Sequence, residues 1–362
     1  MSASEPGGAS PPGAVVNLRS DTQTRPTAAM RRTMAEAEVG DEQRFADPTV
    51  NALQERVAEL LGHEDALFLP TGTMCNGIGF RLHLRAGGDE VILHERAHPI
   101  IAEAGGPAQL AGAMLRPLAA EGGIFDAGQV EAALRDPADR LAPRSRLVSV
   151  EQTTNMGGGR VWPLATIRSV LATAAAHGLR THLDGARLLN AVVATGVPAS
   201  DYAGGFDTAW LDLTKGLGAP VGAVLAGSRE LIHEAWRYKQ MWGGAMRQAG
   251  IVAAAGLYAL DHHVERLAED HDNARVLAEG LAALDGISID PATVETNVVI
   301  FETGDARALE AALLERGIDI GALDRRLLRA VTHLDVDRAG VERALAVMPE
   351  ALAAVARLAT PR

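Results

Sequence analysis

The sequence has few of the features that mark secreted and membrane proteins. Its 362 residues include one cysteine, Cys75, which excludes an intrachain disulfide framework and is typical of a reducing cytosol. The longest apolar stretch, residues 251–260, is about half of a membrane span. No charged and then apolar signal segment opens the chain. We therefore expect a cytoplasmic protein that does not cross a membrane.

Clusters of positive charge and metal-ligand spacings are also missing. The net charge is −12 and no basic run interrupts the acidic background, which disfavours a nucleic acid or an anionic membrane as partner. No His-Glu-x-x-His motif occurs, and the adjacent His262 and His263 would point apart on a helix, so we expect no metal. No Walker motif is present, and the glycines at 157–159 lack the third glycine of a dinucleotide fingerprint.

What remains is an ordinary globular composition, 47% hydrophobic and 22% charged. A chain of this length is expected to form one large and one small domain. Residues 1–15, rich in Pro, Gly, Ser and Ala, predict a disordered N-terminal tail. The predicted boundaries are 16–255 for the large domain, with an N-terminal arm, and 256–362 for the small one.

Short apolar strands alternate with helical segments in the predicted large domain. Strands are predicted at 66–69, 91–93, 146–150, 179–183, 208–213 and 221–225, and helices at 27–38, 49–61 and 164–177. This alternation predicts an α/β fold with a mostly parallel sheet, covered on both faces, and ligands at the carboxyl ends of the strands. A long helical stretch over 246–281 then leads to a smaller α+β domain, with strands near 287–290, 298–302 and 328–332 and helices at 306–316 and 338–358.

Two charged residues stand where predicted strands end. Lys215 closes an apolar run and opens a glycine-rich turn, and Asp184 ends the strand 31 residues earlier. A lysine so placed can attack a carbonyl, and a carboxylate can keep a pyridinium nitrogen protonated, so the pair fits a pyridoxal phosphate (PLP) site. Taken singly, Lys215 is an ordinary solvated turn lysine and Asp184 a helix N-cap.

The same edge of the predicted sheet offers groups for a phosphate and a ring. Gly72 and Thr73 follow a strand and open a helix, whose amides favour an anion, although Thr-Gly-Thr before a helix is also ordinary capping. His98 follows the strand at 91–93, where an imidazole could stack on a pyridine and move protons, although a loop histidine usually does neither.

The sequence resembles the low-specificity threonine aldolases, PLP enzymes of fold type I (the aspartate-aminotransferase-like fold). The resemblance runs from about Asn17 to the last helix and is carried by nine ordered motifs, at residues 18–27, 38–41, 47–51, 70–74, 88–92 with His98, 182–187, 215–222, 243–250 and 329–333. It implies a PLP-dependent lyase that cleaves a β-hydroxy-α-amino acid, such as threonine, allo-threonine or phenylserine, to glycine and an aldehyde by retro-aldol chemistry.

The resemblance also implies a role for each matching residue. Lys215 would form the Schiff base with PLP, Asp184 would pair with the pyridine nitrogen, and His98 would stack on the ring. Residues implied at the phosphate are Gly72, Thr73 and, near a subunit interface, Arg247; those implied at the substrate carboxylate are Ser20, Arg187 and Arg329. Active sites between subunits, and hence a homodimer or homotetramer, are implied as well.

The residues that read the substrate side chain depart from the family pattern. Leu141 and Thr154 stand where histidines are expected, and Arg44 where a tyrosine is expected. Leu141 and Trp242 would favour a large or apolar substrate side chain. Two alternatives stay open: another PLP reaction, such as β-elimination, racemisation or transamination, or a noncatalytic homologue that binds PLP.

Overall fold

The computed structural model describes residues 15–85 and 87–359, so the predicted tail, except Val15, lies outside the described residues. The strands are β1 Val16–Asn17, β2 Asp65–Leu69, β3 Asp89–His94, β4 Met114–Leu118, β5 Arg144–Glu151, β6 Arg180–Gly185, β7 Thr208–Asp212, β8 Ala223–Gly227, β9 Ile287–Ser288, β10 Val298–Thr303, β11 Ile318–Asp319, β12 Gly321–Ala322 and β13 Leu327–Val331. The α-helices are α1 Ala28–Ala35, α2 Pro48–Leu61, α3 Gly72–His83, α4 His98–Ile101, α5 Gly106–Ala111, α6 Ala127–Ala133, α7 Leu164–Ala176, α8 Leu188–Thr195, α9 Ala199–Ala203, α10 Arg229–Met241, α11 Gly250–His262, α12 Leu267–Ala282, α13 Ala306–Leu314 and α14 Arg338–Ala359.

A seven-stranded sheet forms the centre of the molecule, in the order β2-β8-β7-β6-β5-β3-β4. All neighbouring pairs are parallel except the two that β8 makes, with β2 and β7. Every residue of β3, β7 and β8 is buried, as expected for strands that helices cover on both faces. The predicted α/β fold with a mostly parallel sheet is therefore confirmed.

The edge strand β4 was not predicted from the sequence. It pairs with β3 alone, and its residues are exposed or half-buried, so it lacks the continuous apolar run of the central strands. Pro117 within it cannot donate a ladder hydrogen bond, which is tolerated at an edge.

A second, antiparallel sheet forms in the C-terminal part, in the order β12-β13-β10-β9. It has its own hydrophobic core with α12, α13 and α14, and Val16 and Leu18 from the start of the chain pack into that core. Strand β1 pairs with β11, in register Val16 with Ile318. The N-terminal segment thus joins the C-terminal core, and the domain boundary at residue 255 stays a prediction.

The helical stretch predicted over residues 246–281 forms two helices, because it begins at Gly250 and the chain turns between α11 and α12. His263 caps α11, and its Nδ1 donates a hydrogen bond of 2.7 Å to the carbonyl oxygen of Leu217. The buried apolar side chains are mostly alanine in α11 and leucine and alanine in α12, so the apolar pattern continues across the break. The turn places a polar contact against the loop that follows β7.

A buried ion pair ties the segment before α2 to α10. Lys239 Nζ lies 2.8 Å from Glu42 Oε2, and both side chains are almost fully buried. The other carboxylate oxygen of Glu42 accepts from the backbone amide of Met246, and Trp236 lies 4.6 Å from the ammonium. A buried charge that loses its partner is strongly destabilising.

Replacing Lys239 with Ala is expected to lower the free energy of unfolding by about 3 kcal/mol, because Glu42 would stay buried without its cation. Urea unfolding measures the loss. Arg237→Ala is the matched control, since Arg237 lies on the same helix but is 70% exposed and 3.9 Å from Glu234, and it should cost under about 1 kcal/mol. Equal losses for both variants would contradict the assignment.

Candidate active site at the carboxyl edge of the sheet

A cavity of about 580 Å³ opens where the parallel strands end. Residues from seven parts of the chain line it. They include eight of the nine residues predicted from the sequence for a site: Ser20, Gly72, Thr73, His98, Asp184, Arg187, Lys215 and Arg329. The predicted position of the site at the carboxyl ends of the strands agrees with this cavity. The individual roles stay predictions.

Lys215 lies three residues beyond β7, at the start of a tight 3-10 turn. Its backbone is left-handed, with φ at 53°, a conformation that costs energy in a residue with a Cβ atom and that recurs at functional sites. Thr24 Oγ1 donates a 2.7 Å hydrogen bond to the Lys215 carbonyl oxygen, and the ammonium pairs with Asp212. The fold therefore holds Lys215 in a strained backbone conformation, with its ammonium group paired with the Asp212 carboxylate.

Asp184 ends β6 and is 2% exposed. One carboxylate oxygen accepts from the Asn76 side-chain amide at 2.9 Å, and the other accepts from the backbone amide of Ala186 at 3.0 Å. Burial and the nearby negative charge of Glu151 raise the pKa of Asp184 to about 7, and the Asn76 hydrogen bond opposes the rise. Ionised Asp184 is thus a buried negative charge that a cation in the cavity would stabilise.

His98 begins α4 beside this carboxylate. Its Nδ1 donates to Oε1 of the buried Glu103 at 2.8 Å, and its backbone amide donates to Glu151 at 2.9 Å. The Glu103 hydrogen bond raises the pKa of His98, although burial opposes it. Glu103 therefore fixes the ring and favours its protonated form.

Arg187 is held by a buried, two-pronged ion pair with Asp21. Its Nε and Nη2 donate to the two carboxylate oxygens at 2.8 and 2.7 Å. Burial alone would raise the pKa of Asp21, but the Arg187 guanidinium holds it well below its usual range. This geometry uses two of the three guanidinium nitrogens, so a ligand that lies beside Arg187 would meet Nη1.

Arg329, on β13, brings a second guanidinium to the cavity from the C-terminal sheet. Its Nη1 donates to Asn155 Oδ1 at 2.8 Å. Burial and the positive charge of Arg187 lower the pKa of Arg329. Ser20, which also lines the cavity, accepts hydrogen bonds from the backbone amide and the hydroxyl of Thr22. Arg187, which is buried, and Arg329, which is half-buried, repel each other, so this part of the cavity is favourable for an anion.

The first turn of α3 faces the cavity with Gly72 and Thr73. Thr71 is the N-cap, and its hydroxyl accepts from the amide of Met74 at 3.1 Å. A Cβ atom at Gly72 would overlap the Trp210 indole, so this glycine also makes room for that ring. The unpaired amides of a helix start and its macrodipole favour an anion here.

Several residues suspected from the sequence lie outside this cavity in the single chain. Arg247 is 64% exposed and pairs with Asp41 at 3.1 Å, Arg44 is exposed, and Leu141 is 96% exposed. Trp242 packs against Tyr238. The expectation that Leu141 and Trp242 favour an apolar substrate therefore has no support from the lining of this cavity.

Thr154, where a histidine was expected, is buried beside the cavity rather than in it. Its hydroxyl accepts from the Arg160 amide at 3.2 Å, and a Cβ atom at Gly123 would overlap its side chain. The neighbouring Asn155 and Met156 do line the cavity. Thr154 thus stabilises the loop that carries them.

Four polar residues that support the site were not predicted from the sequence: Asp21, Asn76, Glu103 and Asp212. Asp212 precedes Lys215 by three residues, a short-range signal that could have identified it. Glu103 and Asn76 contact their partners across 5 to 108 positions of sequence, and Asp21 contacts Arg187 across 166. Only the folded chain shows these contacts.

The small number of lysines limits which residue can form a Schiff base at this site. The sequence contains two lysines, Lys215 and Lys239, and Lys239 is buried in its pair with Glu42. Lys215 is therefore the lysine that a carbonyl compound in solution can reach. Within the described ranges, no group of three His, Cys, Asp or Glu side chains could hold a metal ion, and no helix there is long and apolar enough to cross a membrane.

Comparison with known proteins agrees with this geometry. The model of the beta-eliminating lyase family matches residues 17–303. Low-specificity L-threonine aldolase 1 of Arabidopsis thaliana is 38% identical over 93% of this chain and 96% of its own. A solved Leishmania major threonine aldolase shares the fold, with a TM-score of 0.79 at 21% identity over 93% of this chain and 99% of its own.

The fold also occurs with PLP bound. A solved structure of SPT with PLP covers 95% of this chain and 87% of its own, with a TM-score of 0.69 at 19% identity. These matches confirm the resemblance and the fold type I architecture that the motifs indicated. The chain therefore belongs to the beta-eliminating lyase family, and its resemblance to a low-specificity L-threonine aldolase extends over nearly its whole length.

Proposed function

We propose that this protein is a PLP-dependent aldolase that cleaves β-hydroxy-α-amino acids, threonine among them, to glycine and an aldehyde. The observation that carries the proposal is that Lys215, Asp184 and the two arginines Arg187 and Arg329 line one cavity. The relatives named as L-threonine aldolases support the reaction. We place the reaction in the cytoplasm.

The donor set of the cavity fits PLP at three points. Asp184 is a buried carboxylate whose raised pKa, about 7, reflects burial and negative neighbours, so a protonated ring nitrogen would stabilise its ionised form. The start of α3 at Gly72 and Thr73 suits the phosphate. Lys215 supplies an amine for the aldehyde. The lysine, the carboxylate and the helix start all line the same cavity.

When bound, PLP would act as the acceptor for the electron pair that bond cleavage at Cα releases. The chain's own residues would do the rest. Asp184 would hold the ring nitrogen protonated, and His98, fixed by Glu103, would lie against the ring. The position of Asp212 beside the Lys215 ammonium gives that amine a neighbouring group that can accept a proton.

The two arginines account for substrate orientation. A substrate α-carboxylate between Arg329 and Nη1 of Arg187 would offset the mutual repulsion that lowers the pKa of Arg329. Ser20 adds a hydroxyl at the same side of the cavity. A fixed carboxylate sets which bond at Cα is aligned for cleavage, so these residues would control the reaction by orientation.

We also propose a homodimer or homotetramer with sites shared between subunits. Arg44 and Arg247 are exposed in the single chain, and the large apolar side chains of Phe45 and Met241 are 63% and 67% exposed. A partner subunit that covers this surface would bring both arginines into a buried environment.

Aldehyde release is expected when the PLP-loaded protein is offered L-threonine, L-allo-threonine, phenylserine or their D isomers, with glycine formed in equal amount. Lys215→Ala is expected to lower turnover by on the order of 10⁴-fold or more and to remove the visible band of the Schiff base. Borohydride reduction followed by mass spectrometry should mark Lys215 and leave Lys239 unmodified. Release of ammonia and a 2-oxo acid without aldehyde, 2-oxobutanoate from threonine or phenylpyruvate from phenylserine, would identify another PLP reaction instead.

Asp184→Asn should change how the stability of the cofactor-free protein depends on pH. The folded pKa is about 7 against an ordinary value of 3.8, so between these values the folded state binds more protons, and wild-type stability falls as pH rises. The free energy of unfolding of the variant, relative to that of wild type, should rise with pH between 3.8 and about 7, by at most about 1.4 kcal/mol per pH unit. Above that range the difference should become constant. Urea unfolding measures this, with Asp272→Asn as control because Asp272 is 58% exposed. A flat difference would reject the raised pKa.

Arg329→Gln is expected to lower kcat/KM by roughly 10- to 100-fold, chiefly through KM, because the substrate carboxylate would lose a charged hydrogen bond. Arg325→Gln, on the exposed turn just before β13, is the matched control and should leave both constants near the wild-type values. Steady-state kinetics with L-threonine measure kcat and KM for both variants and for wild type. A fall in kcat alone would place Arg329 elsewhere in the reaction.

A further inference from the structure

A row of polar side chains leads from Asp184 along one face of the sheet, between the sheet and α3, to the amino ends of the strands. Asn76 Nδ2 lies 2.9 Å from Asp184 Oδ2, His182 Nε2 3.1 Å from Asn76 Oδ1, Thr208 Oγ1 2.8 Å from His182 Nδ1, and His83 Nε2 2.9 Å from Thr208 Oγ1. The middle members are 0–1% exposed. His83 lines a groove at the amino ends of the strands.

Secondary structure explains why these five residues meet. Asn76 and His83 are seven residues apart on α3, which is about two helical turns, so they share one face. His182 and Asp184 are two apart on β6 and share a face of the sheet. Thr208 on β7 is the register partner of His182.

The direction of each hydrogen bond follows from one indole. Trp210 Nε1 lies 2.8 Å from Asn76 Oδ1, and an indole N–H can only donate, so this atom of Asn76 is the acceptor oxygen. The amide nitrogen therefore faces Asp184. His182 must then donate from Nε2, which leaves its Nδ1 as an acceptor.

The remaining two hydrogen bonds are fixed in turn. The Thr208 hydroxyl donates its single proton to His182 Nδ1, so Thr208 accepts from His83 Nε2. All four hydrogen bonds thus point the same way, towards the Asp184 carboxylate. Hydrogen bonds aligned in series polarise and strengthen one another in a buried environment.

Both histidines stay neutral near neutral pH, so the tautomers of the row are stable. Burial lowers the pKa of His182 to about 3, helped by His83. Burial also lowers the pKa of His83 to about 4, against the opposing charge of Asp207. The row therefore acts on Asp184 through bond dipoles and carries no net positive charge.

Packing leaves the His182 ring little freedom. A Cβ atom at Gly79 would overlap the ring, and Phe80 meets it edge to face at 5.6 Å. The Asn76 nitrogen also donates to Glu103 at 2.8 Å, the residue that holds His98. One amide thus positions both side chains proposed to touch the cofactor ring.

We propose that Asn76, His182, Thr208 and His83 are positioning residues, a one-way row of hydrogen bonds that orients the Asp184 carboxylate and stabilises its charge against the pyridine nitrogen of PLP. The inference rests on the proposed function for its cofactor. Three charged groups also face Asp184. Glu103 and Glu151 disfavour its ionisation, whereas His98 favours it.

The decisive variant is Thr208→Val, which keeps the side-chain shape but removes the hydroxyl, with Thr208→Ser as the variant that restores it. The holoenzyme is prepared with PLP labelled with ¹⁵N in the ring, and the nitrogen signal is followed against pH. Thr208→Val should lower the midpoint of nitrogen protonation by about one pH unit, a tenfold change, with kcat reduced and KM nearly unchanged. Thr208→Ser should match wild type.

An unchanged midpoint in PLP-loaded Thr208→Val would overturn the proposal. If that variant does not load PLP, the comparison of His83→Leu with His83→Gln decides, because glutamine keeps a donor to Thr208 and leucine does not. A lowered midpoint in the leucine variant alone supports the row, and equal midpoints reject it.

A second measurement separates this proposal from the proposed function. Long-range ¹H–¹⁵N correlation in the cofactor-free protein should show His182 as the neutral Nε2–H tautomer. The Nδ1–H tautomer would reject the row even if the enzyme is an aldolase. Absence of a borohydride-reducible adduct at Lys215 would reject the proposed function and leave the His182 result standing.

Discussion

The buried ion pair of Arg187 and Asp21 is the contact on which the rest of the site depends. Asp21 belongs to the N-terminal segment, Arg187 follows β6 of the large sheet, and Asn297, beside β10 of the small sheet, donates to the same carboxylate at 3.1 Å. Because both charges are buried, moving these parts of the chain away from each other would leave Asp21 and Arg187 without their partners. The pair therefore fixes where the second arginine, Arg329, meets the large sheet.

The position of Lys215 and Asp184 in the cavity could be predicted from the sequence, because each lies at or just beyond the end of a strand that an apolar run identifies. Lys215 and Asp184 end apolar runs, and parallel strands bring such ends to one edge. The residues that support them could not be predicted in this way. Asn76, Glu103 and Asp21 are ordinary polar residues whose importance depends on partners far along the chain.

Errors in the predicted fold also arise where structure depends on contacts between residues far apart in the sequence. The helical stretch predicted over 246–281 did not include the break between α11 and α12, because both helices bury apolar side chains. The break is accompanied by the hydrogen bond from His263 to the carbonyl of Leu217 in a distant loop. Strand β4 was missed because it is half exposed at an edge. Local patterns predicted buried elements well and contacts between elements poorly.

The scarcity of lysine has a consequence for the proposed reaction, which releases an aldehyde. Free aldehydes condense with unprotonated amines, whereas an arginine guanidinium stays protonated at any physiological pH. Of the 34 lysines and arginines only two are lysines, and Lys239 is sealed in its pair with Glu42. The positive side-chain charge at the surface of this chain is thus carried mainly by arginine, which resists condensation with the aldehyde product. Lys215 is the accessible side-chain amine that can form a Schiff base.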